Sequence, residues 1–273
     1  MLNTQFNKCL VGICLILVTT LTYPVPKKDL WPIWQKNNPQ ATTTIDYSLY
    51  QAFLTKYVVM NNTGPNLVLY SKVSKADLNN LAHFLQGLAQ VKISTYNQTE
   101  QLAYWINLYN ALTIYVVLEH YPVKSILDIK LSGIFSTGPW DKKLIQVEGQ
   151  SLSLNDIEHR IIRPIWHDER THYALNCASY SCPNLQMYTG ATLDSMLNQA
   201  AIDYVNSPRG VVIQQNKLKV SSIYDWYQSD FGTNQSQVIG SIAKYAKPEL
   251  KAQLLKFSKI NDYIYNWNLN GAN

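Results

Sequence analysis

The stretch from Glu100 to Tyr121 (EQLAYWINLYNALTIYVVLEHY) constrains the fold more than any other part of the chain. Asn97-x-x-Glu100 opens it with a capping-box pattern, and it runs to about Glu119, ending before Pro122. Between those limits apolar side chains fall on nearly every side, so the segment predicts a central helix buried all round. Its polar exceptions carry the next inference. Glu100, Tyr104, Asn107 and Ala111 follow at steps of four, three and four and share one stripe, with Asn110 beside it. A buried polar stripe is unfavourable unless each group finds a partner. A purely structural use is open to these residues: Glu100 capping its own helix, and the asparagines binding neighbouring backbone.

The elements around this helix read as a mixed set. Residues 23–44, rich in Pro, Lys and Asn, form a linker that Trp31 and Trp34 dock to the body. Asp46 to Met60 predicts a helix and Leu67 to Tyr70 a short strand. Ser74-x-x-Asp77 caps a further helix carrying Leu78, Leu81, Leu85 and Leu88. Leu144–Glu148 and Gln150–Leu154 form a hairpin around Gly149, and Ser153-x-x-Asp156 caps a short helix that Pro164 stops. Thr171 to Ala178 has the composition of a strand. Thr192–Asn206 is helical, Val211–Ser221 is a hairpin around Asn216-Lys217, and Ser222–Phe231 is helical again. Two helices flank Pro248, and Tyr263-x-Tyr265-x-Trp267 alternates like a final strand. No linker interrupts residues 45–268. The fold class is therefore α+β: one mixed domain whose central buried helix packs on a small, mostly antiparallel sheet.

A chain of 273 residues can bury most of its unfolded surface, so it needs no metal or disulfide staple. Its net charge of +5 is spread without any run of Lys or Arg, which argues against a nucleic-acid partner. Leu10 to Leu21 is apolar, uninterrupted by charge and shorter than a comfortable bilayer span. Residues 1–22 thus read as a signal peptide, with an uncleaved N-terminal anchor as the alternative. Either way the body is expected outside the cytoplasm, periplasmic or secreted, touching membrane only through that segment. Of four cysteines, Cys9 and Cys14 belong to this leader, and only Cys177 and Cys182 remain in the body.

Cys177 is the first candidate for chemistry. It sits in His172-Tyr-Ala-Leu-Asn-Cys-Ala-Ser-Tyr-Ser-Cys-Pro183, where a strand breaks into a Ser-rich loop. A cysteine there suits a nucleophile facing a cleft, with loop N–H groups, Ser179 among them, ready for an oxyanion. A buried core thiol or a disulfide with Cys182 are the structural alternatives. A thiol nucleophile needs a base. His172 is five residues from Cys177, an odd separation that points the two to opposite faces of a strand. His159, on the short capped helix, is the better base, and Glu100 is the choice to orient its imidazole, with Asn107 as runner-up. Tyr104, Asn107, Asn110 and Ser179 take supporting or substrate-binding roles. No cofactor is implied, and no pair of histidines or cysteines has metal-ligand spacing on one helix.

Four strings carry a family resemblance. Glu100-x-x-Ala103-x-Trp105-Ile-Asn-Leu-Tyr-Asn-Ala111, Leu152-Ser-Leu-Asn-Asp-Ile-Glu-His159, the His172–Pro183 segment and Trp226-Tyr-Gln-Ser-Asp-Phe231 together resemble the domain of unknown function 547 (DUF547) family. The match runs from roughly residue 45 to 235. Glu100 and His159 fall on its motif positions. The resemblance implies that the position of Cys177 is kept and that serine can replace Cys182, which favours Cys177 as the functional cysteine and a thiol over a structural disulfide. The family's own activity is largely undefined.

These readings converge on an exported cysteine hydrolase or acyltransferase with a rearranged papain-like core and a Cys177–His159–Glu100 site. Its substrate would be an amide or isopeptide bond in a peptide or the cell envelope. The alternative is a non-enzymatic interaction module of the envelope or secreted space. A thiol redox protein is the lesser alternative, because four residues between Cys177 and Cys182 do not match C-x-x-C.

Overall fold

The computed structural model describes residues 27–61, 64–133 and 137–272, so the apolar leader lies outside the described residues. Three helices organise the N-terminal half. They are α1 (Ser48–Tyr57), α2 (Lys75–Gln90) and α3 (Gln98–His120). Ser74 Oγ accepts the Asp77 N–H at the start of α2, and Asn97 Oδ1 accepts the Glu100 N–H at the start of α3. Each cap satisfies an amide that the helix itself cannot. Leu81, Phe84, Leu85 and Leu88 put one face of α2 into the core, each worth about 1.5–3 kcal/mol of burial. They pack against α3, which is buried without a break from Glu100 to Ile114. Tyr50 of α1 stacks on Phe84 from outside.

The expected sheet beneath α3 is absent from the described residues. Strands β1 (Val58–Val59) and β2 (Leu67–Val68) make one antiparallel pair, and β3 (Ile145–Val147) and β4 (Gln150–Leu152) another. At two or three residues each, these strands are too short to cover a 23-residue helix about 35 Å long. Helices cover it instead. The architecture remains α+β, with small and mostly antiparallel sheets.

A second apolar cluster forms around Tyr173, Tyr204, Tyr224 and Phe231. It is built by α5 (Leu193–Val205), β5 (Val211–Gln214), β6 (Lys217–Ser221), α6 (Ile223–Trp226), α7 (Gln228–Phe231), α8 (Gln235–Tyr245) and α9 (Pro248–Leu254). β7 (Asp262–Ile264) joins β6 in parallel. Among the described residues no helix is long and apolar enough to cross a membrane.

Two further sequence expectations are corrected. Pro164 does not stop its helix. A π-helical run, Asp156–Ile162, passes into α4 (Arg163–Trp166), which ends where His167 turns left-handed at φ 50°. Proline lacks the N–H that would bond the carbonyl four residues back, that of Arg160. Here the Trp31 N–H takes that carbonyl at 3.0 Å. The π register likewise sends the Arg163 N–H to the Glu158 carbonyl, and the His159 carbonyl accepts from the Asp29 N–H. Residues 27–44 thus dock on the body as a strap, as their tryptophans led one to expect, with Trp34 buried edge-on against Trp105. Thr171–Ala178 is the second correction. It is no strand: a 3-10 turn, Glu169–Tyr173, leads into irregular chain. Asn110 accounts for this, taking the Ala174 carbonyl and the Asn176 N–H that a neighbouring strand would have used.

Candidate functional site

A cleft of about 790 Å³ opens where the two clusters meet. Three chain segments supply its polar wall. The π-helical run widens the turn so that Asp156, Glu158, His159 and Arg160 all line it. The 3-10 turn after α4 brings His172, the irregular chain beyond it brings Cys177, and the α6–α7 junction brings Tyr227. Asp230 of α7 stands behind them.

Tyr227 is the hub of this wall. His172 stacks on its ring at 4.2 Å between centroids, and the Arg163 guanidinium lies 4.7 Å from it. Burial and the nearby Glu158 carboxylate hold the Tyr227 hydroxyl and that of Tyr109 protonated. Burial alone would raise the Glu158 pKa, but His159, His172 and Arg163 around it hold it below the usual carboxylate range. Asp230 shows the same balance. Burial opposes its charge, yet bonds from His172 Nε2 at 2.8 Å and Arg163 Nε at 2.7 Å, with Lys28 Nζ at 2.7 Å, keep it well below the ordinary value.

The two histidines differ in kind. Arg163 Nη1 can only donate, so His159 Nδ1 accepts from it at 3.0 Å and the ring proton sits on Nε2. Burial, with Arg163 beside the ring, lowers the His159 pKa to about 4, and the imidazole is neutral at neutral pH. His172 instead gives its Nε2 proton to the Asp230 carboxylate, which leaves Nδ1 as the acceptor of its neutral form. A carboxylate that orients an imidazole through one nitrogen and frees the other is what a general base requires.

Cys177 and Cys182 are joined as a disulfide, which overturns the expectation of a free thiol at Cys177. Cys177 is half-buried, whereas Cys182 is buried. Donors gather on Cys182 Sγ: the Cys177 N–H at 3.0 Å, the Ser179 N–H at 3.4 Å and the Ser179 hydroxyl at 3.1 Å. The Tyr265 hydroxyl lies 3.1 Å from Cys177 Sγ and 3.3 Å from Cys182 Sγ. The loop holds its shape through Ala178, left-handed at φ 59°, whose N–H goes to Asn176 Oδ1. The C-terminal segment braces it, with the Tyr180 N–H on the Asn268 carbonyl and the Asn270 N–H on the Ala178 carbonyl.

The expected residues divide into two groups. Cys177 and His159 line the same cleft, and so does His172, because the strand that was to turn it away does not form. Glu100 is elsewhere. Its Oε1 accepts the Ile45 N–H at 2.9 Å and its Oε2 the Gly190 N–H at 3.2 Å, nine residues and about 13 Å of helix away from Tyr109. It clasps three segments and orients no imidazole. Tyr104 bonds the Leu88 carbonyl, and Asn107 holds both backbone groups of Tyr188. Asn110 fixes the segment between His172 and Cys177 from below, and Ser179 touches both sulfurs. Sequence reasoning missed Glu158, Arg163, Tyr227, Asp230 and Tyr265. The first four stand in or beside the quoted motifs. Tyr265 lies far outside them, and its alternation with Trp267 signals only a strand.

Among the described residues no group of three or more His, Cys, Asp or Glu is arranged to hold a metal ion. The family model described as protein of unknown function, DUF547, matches residues 93–205, which contain α3, the π-helical run and both cysteines of the body. No curated protein and no solved structure matches the chain.

Proposed function

We propose that this chain, whose residues 93–205 match the DUF547 model, carries in its cleft the active site of a thiol hydrolase or acyltransferase acting on an amide or isopeptide bond. One observation carries the reading. Motifs distant in sequence bring a half-buried cysteine, a carboxylate-oriented histidine and a neutral histidine to one cleft. The disulfide is the resting form, and a thiol reductant converts it to the two thiols. Cys177 Sγ then attacks the carbonyl carbon while its proton passes to His172 Nδ1. Asp230 holds the imidazolium that results. His159 Nε2–H donates to the developing oxyanion, because the Cys177 and Ser179 N–H groups are taken by Cys182 Sγ. The amine leaves with the proton from His172. Water or a second amine then releases the acyl group. This keeps the papain-like division of roles, with His172 and Asp230 in place of His159 and Glu100. Export, as residues 10–21 suggest, would put the protein where a disulfide persists until it is reduced.

An electrophilic peptide probe, a peptide vinyl sulfone, tests the reading. It is expected to label Cys177 after treatment with a thiol reductant and not before, with labelling lost in His172→Gln. Labelling confined to Cys182, or none after reduction, refutes it.

A second reading rests on the donors around Cys182 Sγ, which would stabilise a thiolate there as the leaving group of thiol–disulfide exchange at Cys177. It predicts a trapped mixed disulfide on Cys177 and no acyl transfer.

A further inference from the structure

The sequence holds four arginines, and three of them pair with carboxylates. Arg160 meets Asp29 and Asp156, Arg163 meets Asp230, and Arg170 meets Asp168 and Asp194. Arg209 pairs with no carboxylate among the described residues, although it is only 8 % exposed. Its Nη1 donates to the Cys182 carbonyl and its Nη2 to Asn184 Oδ1, while Nε is buried without a partner. Its guanidinium also lies 5.5 Å from the Tyr204 ring. A guanidinium has five N–H donors and a full charge, so two neutral acceptors and a ring leave most of both uncompensated. Burial accordingly presses the Arg209 pKa down.

This cation lines a second cavity, of about 470 Å³, that shares no lining residue with the cleft. Its volume lies within the range of small-molecule sites. The other walls mix amide and hydroxyl side chains with apolar ones, Leu54, Leu185, Met60, Met187 and Met196 among them. Three of the chain's four methionines therefore face one cavity, and unbranched, polarisable side chains adapt to varied apolar ligands. The lining includes one acid, Asp203, which is exposed, bonds Gln199 and makes no ion pair with Arg209.

We propose that this cavity binds a small carboxylate with an apolar tail, its head on the Arg209 guanidinium and its tail against the methionines. The carboxylate supplies the counter-charge that the protein withholds, and the tail displaces water from the apolar wall. The proposal does not rest on the thiol chemistry proposed for the cleft, although Arg209 touches the Cys182 carbonyl.

Calorimetric titration of the full chain with octanoate, octanamide and acetate separates head from tail. Octanoate is expected to bind with one-to-one stoichiometry, about tenfold or more tighter than octanamide, because hydrogen bonds to a charged partner are worth about 1.5–3 kcal/mol. Acetate, lacking the tail, is expected to bind weakest. Arg209→Met should erase the preference for octanoate over octanamide. Ala200→Phe narrows the cavity while leaving the Arg209 side chain in the sequence, and should weaken octanoate binding whether or not Arg209→Met folds. Equal binding of octanoate and octanamide by the native protein overturns the proposal. So does unchanged octanoate binding in Ala200→Phe, or the absence of any saturable octanoate binding.

Discussion

His159 gives the structure a pH dependence whose sign and size can be worked out. The ring is 3 % exposed, so water screens little of the cost of charging it, and Arg163 beside it adds repulsion. Its pKa falls from 6.5 to about 4 on folding. Between those values the unfolded chain takes up a proton that the native state refuses. Stability contributed by the neutral ring is therefore complete above about pH 6.5 and declines as pH falls toward 4. One proton corresponds to about 1.4 kcal/mol per pH unit, so lowering the pH from 6.5 to 5 should cost about 2 kcal/mol. His159→Asn supplies the control, since its amide oxygen can accept from Arg163 as Nδ1 does. Urea unfolding of both proteins at about pH 7.5 and about pH 5 measures the difference. Native protein should lose about 2 kcal/mol more than the variant over that interval. Equal losses would show that His159 titrates normally and that its burial beside Arg163 is misjudged.

Other perturbations separate scaffold from site. Glu100→Gln should lower stability by about 1–2 kcal/mol, through weaker bonds to the Ile45 and Gly190 N–H groups, and leave the alkylation of reduced Cys177 unchanged. Gly190→Ala should destabilise by about 1–3 kcal/mol, because a Cβ there would overlap Glu100 Oε2 and lie 3.2 Å from its backbone. Asn110→Ala orphans the Ala174 carbonyl and the Asn176 N–H. It should cost about 2–4 kcal/mol in chemical denaturation and loosen the Cys177 loop, seen as faster exchange of the Asn176 amide.

The parts of the fold that were legible in sequence are those set by local chemistry. Ser74 and Asn97 announce α2 and α3 because a capping side chain meets an amide three residues away. The unbroken apolar content of α3 announces its burial. Glu100 was misassigned because its partners, Ile45 and Gly190, lie 55 and 90 residues off, beyond any local pattern. The same holds for Thr171–Ala178, whose side chains favour a strand while Asn110, 64 and 66 residues away, claims its backbone. Pro164 reads as a helix stop until the strap supplies a donor for the carbonyl it leaves free. Cys177 and His159 were legible as cleft residues because each stands in a motif dense with polar groups. The pairing of His172 with Asp230 was not, since it needs a contact across 58 residues.

The central claim is that the cleft turns Cys177 into a nucleophile once the disulfide is opened, and the thiol's titration tests it directly. Reduced protein is alkylated with iodoacetamide across a range of pH, and the modification of Cys177 and Cys182 is read separately by peptide mass spectrometry. The account predicts a Cys177 midpoint below about 7, against about 8.5 for an ordinary thiol, and a return toward that value in His172→Gln. A Cys177 midpoint at or above about 8.5 in the native sequence, unmoved by His172→Gln, would contradict it.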